Sequence, residues 1–233
     1  MYEDKLNEYK ANLNSGNDKH FRAKHYLSMH ALISQLENPT MLELGVQSGN
    51  STKLFLNALQ DSDRGTLVSV DIADCSTVAS SPKWTFIRSD SADTDNILNH
   101  APWLKDGIDV LFIDSLHTVD HVYKEIYGFF PYLKKGGVIF MDDVDSAPYA
   151  EGEEMDSFYV ETENRQILNF INCVFEANMD RLDLSIHRGW TGLARLDKRS
   201  DFMTQLNEPK GLKVRQSRRM WKLKRSLKKR KII

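Results

Sequence analysis

Apolar and polar positions change period several times along the chain, and those changes mark out its elements. Residues 25–36 (HYLSMHALISQL) carry apolar side chains at helical spacing ahead of Asn38-Pro39, which predicts a helix packed on a sheet. Residues 40–45 (TMLELG) form a short buried strand ending in glycine, followed by Gln47-Ser48-Gly49-Asn50-Ser51 and a helical pattern over 52–59. Further apolar runs follow at 66–70 (TLVSV), closing on Asp71, and at 84–88 (WTFIR), closing on Ser89-Asp90-Ser91. The run at 108–113 (IDVLFI) is the clearest and closes on Asp114. Helical spacing resumes over 119–133, residues 134–137 (KKGG) read as a turn, and 138–141 (VIFM) closes on Asp142-Asp143. A helical stretch at 167–177 precedes two late strands, 182–187 and 191–196, around Gly189.

Strands that alternate with helices for a hundred residues, each closing on a polar residue, predict an α/β, doubly wound, mostly parallel seven-stranded sheet with helices on both faces. Residues 1–38 form a helical segment before it, and residues 39–200 form the domain itself. The acidic stretch 145–163 (DSAPYAEGEEMDSFYVETE) reads as a long loop beyond a strand's carboxyl end, where such loops shape binding sites.

The chain's 233 residues, 41% of them hydrophobic, suffice for a full core. No run approaches the ~18 apolar residues of a membrane span, and the polar start MYEDKLNEYK has no apolar leader stretch. A cytoplasmic location is expected. Cys75 and Cys173 have no metal-ligand or paired spacing, so they read as ordinary thiols. The net charge of -2 hides an asymmetry, because residues 209–233 hold 12 Lys/Arg and no acid while the body keeps 19 basic against 33 acidic residues.

Ligands of an open parallel sheet sit outside the carboxyl ends of its strands, where turn glycines admit a close backbone approach and helix N-termini present free N–H groups. Gly45 and Gly49 fit such a turn, and Ser51 suits either a helix cap or a carboxylate contact. Asp71, at the end of the second strand, is placed to accept hydrogen bonds from both hydroxyls of a ribose. Asp90 and Ser91 would lie beside the adenine of the same cofactor. Three carboxylates at adjacent strand ends, Asp114, Asp142 and Asp143, would repel one another unless protonated or bridged by a cation, and oxygen donors alone favour Mg²⁺ or a similar hard ion.

The segment Leu42-Glu43-Leu44-Gly45-Val46-Gln47-Ser48-Gly49-Asn50-Ser51 resembles the first motif of class I S-adenosylmethionine-dependent methyltransferases, especially its form in the catechol O-methyltransferase group. Residues 113–118 (IDSLHT), Gly136-Gly137 and 141–144 (MDDV) resemble the macrocin O-methyltransferase and cephalosporin hydroxylase-like families. The resemblance spans about residues 38–144 and implies a Rossmann-like fold and S-adenosylmethionine as cofactor. It further implies that Glu43, Gly45, Gln47, Gly49 and Ser51 belong to the cofactor's methionine end, that Asp71, Asp90, Ser91 and Asp114 complete the cofactor site, and that Asp114, Asp142 and Asp143 hold Mg²⁺. His117 stands where the macrocin-like group has a histidine and the catechol group a lysine, which implies a general base for an acceptor hydroxyl. Gln47 and Ser115-Leu116 depart from the catechol pattern and leave the acceptor open. A sugar, glycoconjugate or small natural product is expected, by analogy with the macrocin-like branch.

Residues 213–231 (KVRQSRRMWKLKRSLKKRK) hold 11 basic residues in 19, interleaved with Met220, Trp221, Leu223 and Leu227. That pattern suits an anionic membrane surface, such as the inner membrane face, ahead of nucleic acid, whose stacking aromatics are scarce here. A tail docked on the acidic body is the third reading. Two rival functions stay open: a metal-independent methyltransferase acting on RNA or protein, and a cofactor-binding module without turnover. Self-association into a homo-oligomer also stays open.

Overall fold

The computed structural model describes residues 2–13 and 18–210. Two N-terminal helices, α1 (Tyr2–Asn12) and α2 (Asp18–Ile33), lead into strand β1 (Thr40–Leu44) and helix α3 (Asn50–Ala58). Then come β2 (Thr66–Asp71), β3 (Trp84–Arg88), α4 (Thr94–His100), β4 (Ile108–Ile113) and α5 (Val119–Phe129). The chain ends its described part with β5 (Leu133–Asp142), α6 (Phe158–Ala177), β6 (Leu182–His187) and β7 (Leu193–Lys198). The seven strands form one sheet in the order β3-β2-β1-β4-β5-β7-β6. The first five run parallel, and β7 lies antiparallel to both β5 and β6.

Alternation along the strands divides the core into two layers, because successive side chains leave a sheet on opposite faces. Leu42, Leu44, Val68, Val70, Leu111, Ile113, Ile139 and Met141 pack with apolar residues of α4, α5 and α6. Met41, Leu67, Val110, Phe112, Val138 and Phe140 pack on the other side with α1, α2 and α3. The doubly wound arrangement expected from the alternating pattern is therefore present, with both N-terminal helices part of one layer. Among the described residues no helix is long and apolar enough to cross a membrane.

Three boundaries differ from the sequence reading. Helix α5 ends at Phe129, where a 3-10 turn over Phe130–Tyr132 takes over at Pro131, whose nitrogen has no hydrogen to donate. The expected turn at 134–137 lies inside β5: Ile108 pairs with Leu133 but Val110 with Val138, and Gly136 takes a φ of 81° in that irregular stretch. Finally, α6 begins at Phe158, where Ser157 accepts a hydrogen bond from the Val160 amide, so the acidic loop closes at residue 157.

Candidate functional site

Register brings the chemistry together. Leu44 pairs with Val70 on one side and Ile113 on the other, and Ile113 pairs with Met141. The next residue of each strand is Gly45, Asp71, Asp114 or Asp142, so all four come level at the carboxyl edge of the sheet. A cavity of about 690 Å³ opens there, lined by Gly45, Gln47, Ser51, Asp71, Asp90, Ser91, Asp114, His117 and Asp143, together with Arg22, Tyr26, Ser115 and His121.

The loop after β1 forms the floor. Gly45 takes a φ of 98°, which favours glycine, and a β-carbon there would lie 2.0 Å from the Asp114 carbonyl oxygen. Gly49, the residue before α3, has a φ of 71° and carries no side-chain cap, so Ser51 does not cap the helix as one reading allowed. Ser51 lines the cavity instead. The first turn of α3 has no side-chain cap and contributes Asn50 and Ser51 to the wall, an arrangement that suits an anionic group.

Asp71 sits beside this loop and latches it. Its Oδ2 accepts from the Val46 and Gln47 amides at 2.9 and 3.0 Å, and its Oδ1 accepts from the Ala73 amide at 2.8 Å. Burial works against its charge, but these three amides prevail and hold its pKa below the usual carboxylate range. Two expected cofactor contacts lie elsewhere. Glu43 is fully buried and absent from the cavity wall, because it accepts hydrogen bonds from Thr52 Oγ1 and Ser69 Oγ at 2.7 and 2.6 Å, tying β1 to α3 and β2. Burial pushes its carboxyl up to about 7 against the pull of its hydroxyl partners. Gly49 is also outside the wall, its α-carbon facing Val78.

At the other end of the cavity three side chains converge. His117 Nδ1 lies 3.1 Å from Asp143 Oδ2, and its Nε2 lies 3.3 Å from Asp114 Oδ1. Ligand atoms of Asp114, His117 and Asp143 all fall within 4.8 Å of one another. Asp142 does not join them. Its carboxylate turns back to accept from Thr191 Oγ1, the Asp143 amide and the Tyr26 hydroxyl. Asp143 reaches the cavity because its φ of 60° reverses the chain just past β5. Of the three aspartates expected together, the structure brings Asp114 and Asp143 close, with His117 between them, and turns the Asp142 carboxylate away.

Electrostatics in this cluster follow from crowding. Burial, then the neighbouring Asp114 and Asp143 charges, push Asp142 upward, and burial raises Asp114 although His117 pulls it back. Burial disfavours a charged His117, yet Asp114 and Asp143 outweigh it and bring the imidazole to about 9. The His117 Nε2 atom is buried, and Asp114 Oδ1 is its near neighbour without well-aligned hydrogen-bond geometry.

A second polar chain borders the middle of the cavity and was not foreseen. Ser91 Oγ lies 2.9 Å from His121 Nε2, which lies 3.3 Å from Glu125 Oε1, and Ser115 Oγ donates to the same oxygen at 2.5 Å. Glu125 is fully buried. The spacing of four between His121 and Glu125 on an amphipathic helix was the signal available in the sequence.

Residues 42–144 match the family model described as "Methyltransferase domain". No curated protein matches the sequence. Among solved structures, the chain is similar to the MycE methyltransferase of the mycinamycin biosynthetic pathway in complex with Mg and SAH, at 20% identity and a TM-score of 0.55 over 83% of this chain and 52% of that one. It therefore spans about half the length of MycE. The SAH-bound Podospora anserina methyltransferase PaMTH1 is 16% identical with a TM-score of 0.63, over 84% and 88% of the two chains. Cofactor-bound Rv0187 from MTB is 19% identical with a TM-score of 0.57, over 77% and 81%. The fold is the one these methyltransferase structures share. Its mostly parallel seven-stranded sheet is the one the sequence pattern implied.

Proposed function

We propose that the protein is an S-adenosylmethionine-dependent O-methyltransferase that acts on a hydroxyl of a small-molecule or glycan acceptor and uses Mg²⁺ or a similar divalent cation. The observation that carries the proposal is the convergence of Asp114, His117 and Asp143 at one end of a cavity whose other end is a glycine loop latched by Asp71. MycE supports it, having been solved with both Mg and SAH. A structure of MycE also contains mycinamycin VI, which favours a natural-product or sugar hydroxyl here.

The residues fit both groups. Gly45 lets the loop close against the Asp114 backbone, and Gln47, Ser51, Asp90 and Ser91 line the same wall. Two carboxylates supply hard oxygen donors and a reason for a cation, since Asp114 and Asp143 converge with His117 between them. When bound, the cofactor supplies a methyl group on a sulfonium and the cation supplies charge that acidifies a coordinated hydroxyl.

What the chain contributes is position and proton handling. Asp114 belongs to both halves of the site, because its backbone closes on Gly45 while its side chain joins the trio. That shared residue fixes the spacing between donor and acceptor ends, the source of catalysis in an in-line transfer. His117 takes the acceptor's proton only when neutral. A cation held by Asp114 and Asp143 would offset the field that raises His117 and favour the neutral imidazole.

The test is transfer of labelled methyl from S-adenosylmethionine to a panel of vicinal diols, sugars and catechols, with EDTA or with Mg²⁺. Transfer that EDTA abolishes and Mg²⁺ restores is the expected result. Equal transfer in EDTA favours a metal-free enzyme, and cofactor binding without transfer to any oxygen favours a binding module.

A further inference from the structure

Arg22 stands out among the residues around the cavity. It lies on α2, lines the wall with Tyr26, and has its guanidinium carbon 5.6 Å from the Tyr26 ring centre and 5.5 Å from that of Trp190. Two aromatic faces thus hold a planar cation in place. Arg22 forms no ion pair within 4.0 Å among the described residues, although Asp114, Asp142 and Asp143 lie close by in the fold. Two arginines elsewhere are paired with acids, Arg165 with Glu161 and Arg195 with Asp197. Its guanidinium also meets the Tyr26 hydroxyl, and the remaining N–H groups of Arg22, a half-buried planar fork, are suited to recognition of an anion.

Topology says which anion. Across the sheet, Asp71 on β2 and Gly45 after β1 mark the side where the cofactor's ribose and methionine belong, and Asp114 after β4 marks the point of transfer. Trp190 belongs to the turn between β6 and β7, on the far side of β5. Stacking on Trp190 ties Arg22 to the β5 and β7 side of the sheet, away from β2, which carries Asp71.

We infer that Arg22 binds a carboxylate-type anion carried by the acceptor, so that the methylated molecule is an acid whose hydroxyl reaches Asp114 and Asp143 while its anionic group rests on Arg22. The inference rests on the methyltransferase reading and narrows its substrate class. Tyr26 and Trp190 act as positioning residues, since they hold the guanidinium and do not meet the anion themselves. Trp190 itself has a φ of 51° between Gly189 and Gly192, a left-handed turn that presents the indole to Arg22.

The probe is benzoate, with benzamide as its neutral counterpart, titrated calorimetrically into the full chain carrying S-adenosylhomocysteine. The expected result is benzoate binding at least tenfold tighter than benzamide, a tenfold loss of benzoate affinity in R22Q, partial retention in R22K, and S-adenosylhomocysteine affinity within about twofold of the parent in both. Equal binding of benzoate and benzamide by the parent overturns the inference without any variant. So does a tenfold loss of S-adenosylhomocysteine affinity in a R22K protein that melts like the parent, which would place the cofactor's own carboxylate on Arg22. Failure of the parent to bind S-adenosylhomocysteine would instead strike at the methyltransferase reading.

Discussion

Gly45 and Asp114 approach so closely that a β-carbon on Gly45 would sit 2.0 Å from the Asp114 carbonyl oxygen. The Gly45 amide donates to Val70, and the Asp114 amide donates to Leu44, so this contact lies where three adjacent strands end. Gly45→Ala therefore meets backbone, which cannot swing aside as a side chain can. A left-handed residue with a clash costs about 1–3 kcal/mol. The expected outcome is a lower melting temperature and at least a tenfold weaker S-adenosylmethionine affinity by calorimetry. An unchanged affinity would show that the loop does not form the cofactor floor.

Glu43 gives a pH dependence whose sign can be worked out. Its folded pKa of about 7 lies above the ordinary carboxyl value because burial favours the neutral form. Its stabilising contribution is complete below the unfolded value of 4.5 and fades as pH rises through about 7. Glu43→Gln keeps a neutral acceptor for Thr52 and Ser69, so the difference in stability between Gln and parent should grow in favour of Gln from pH 5 to 8. Chemical denaturation at several pH values measures it, and a flat difference would contradict the account.

His117 links metal to protons. At about 9 its ring is charged at pH 7.5 and held by Asp114 and Asp143. Cation binding at those carboxylates should release close to one proton per site, read from calorimetry in buffers of different ionisation enthalpy. His117→Gln should bind Mg²⁺ with no such release. Proton release that persists in the variant would assign it to another group.

The basic segment 213–231 lies outside the described residues, so its reading rests on composition alone. Eleven positive charges with Trp221 and three apolar neighbours should bind vesicles containing anionic phosphatidylserine, and binding should fall steeply with salt. Co-sedimentation of the full chain against a chain ending at residue 210 tests this. Equal sedimentation of the two would remove the membrane assignment.

The sheet was legible because parallel strands buried on both faces read as continuous apolar runs, each stopped by a glycine or an aspartate at the carboxyl edge: Gly45, Asp71, Asp114 and Asp142. What stayed hidden depended on backbone angles and on contacts between distant segments. The spacing of Asp142-Asp143 implied a joint pair, but the left-handed turn at Asp143 sends one carboxylate to the cavity and leaves the other to Thr191 and Tyr26. Glu43 sits inside the first motif, yet an interior strand position points it at Ser69 and Thr52. Arg22 carried no local signal at all, since its value comes from Tyr26 one helical turn away and from Trp190, 168 residues further on.

The most direct measurement is calorimetric titration of Mg²⁺ and of S-adenosylmethionine into the parent, Asp143→Asn and Asp142→Asn. The account predicts that the parent binds both, that Asp143→Asn loses Mg²⁺ while keeping the cofactor, and that Asp142→Asn retains both because its carboxylate faces Thr191 and not the trio. A parent that binds S-adenosylmethionine but not Mg²⁺ would contradict the metal site, and a parent that binds neither would contradict the proposed function itself.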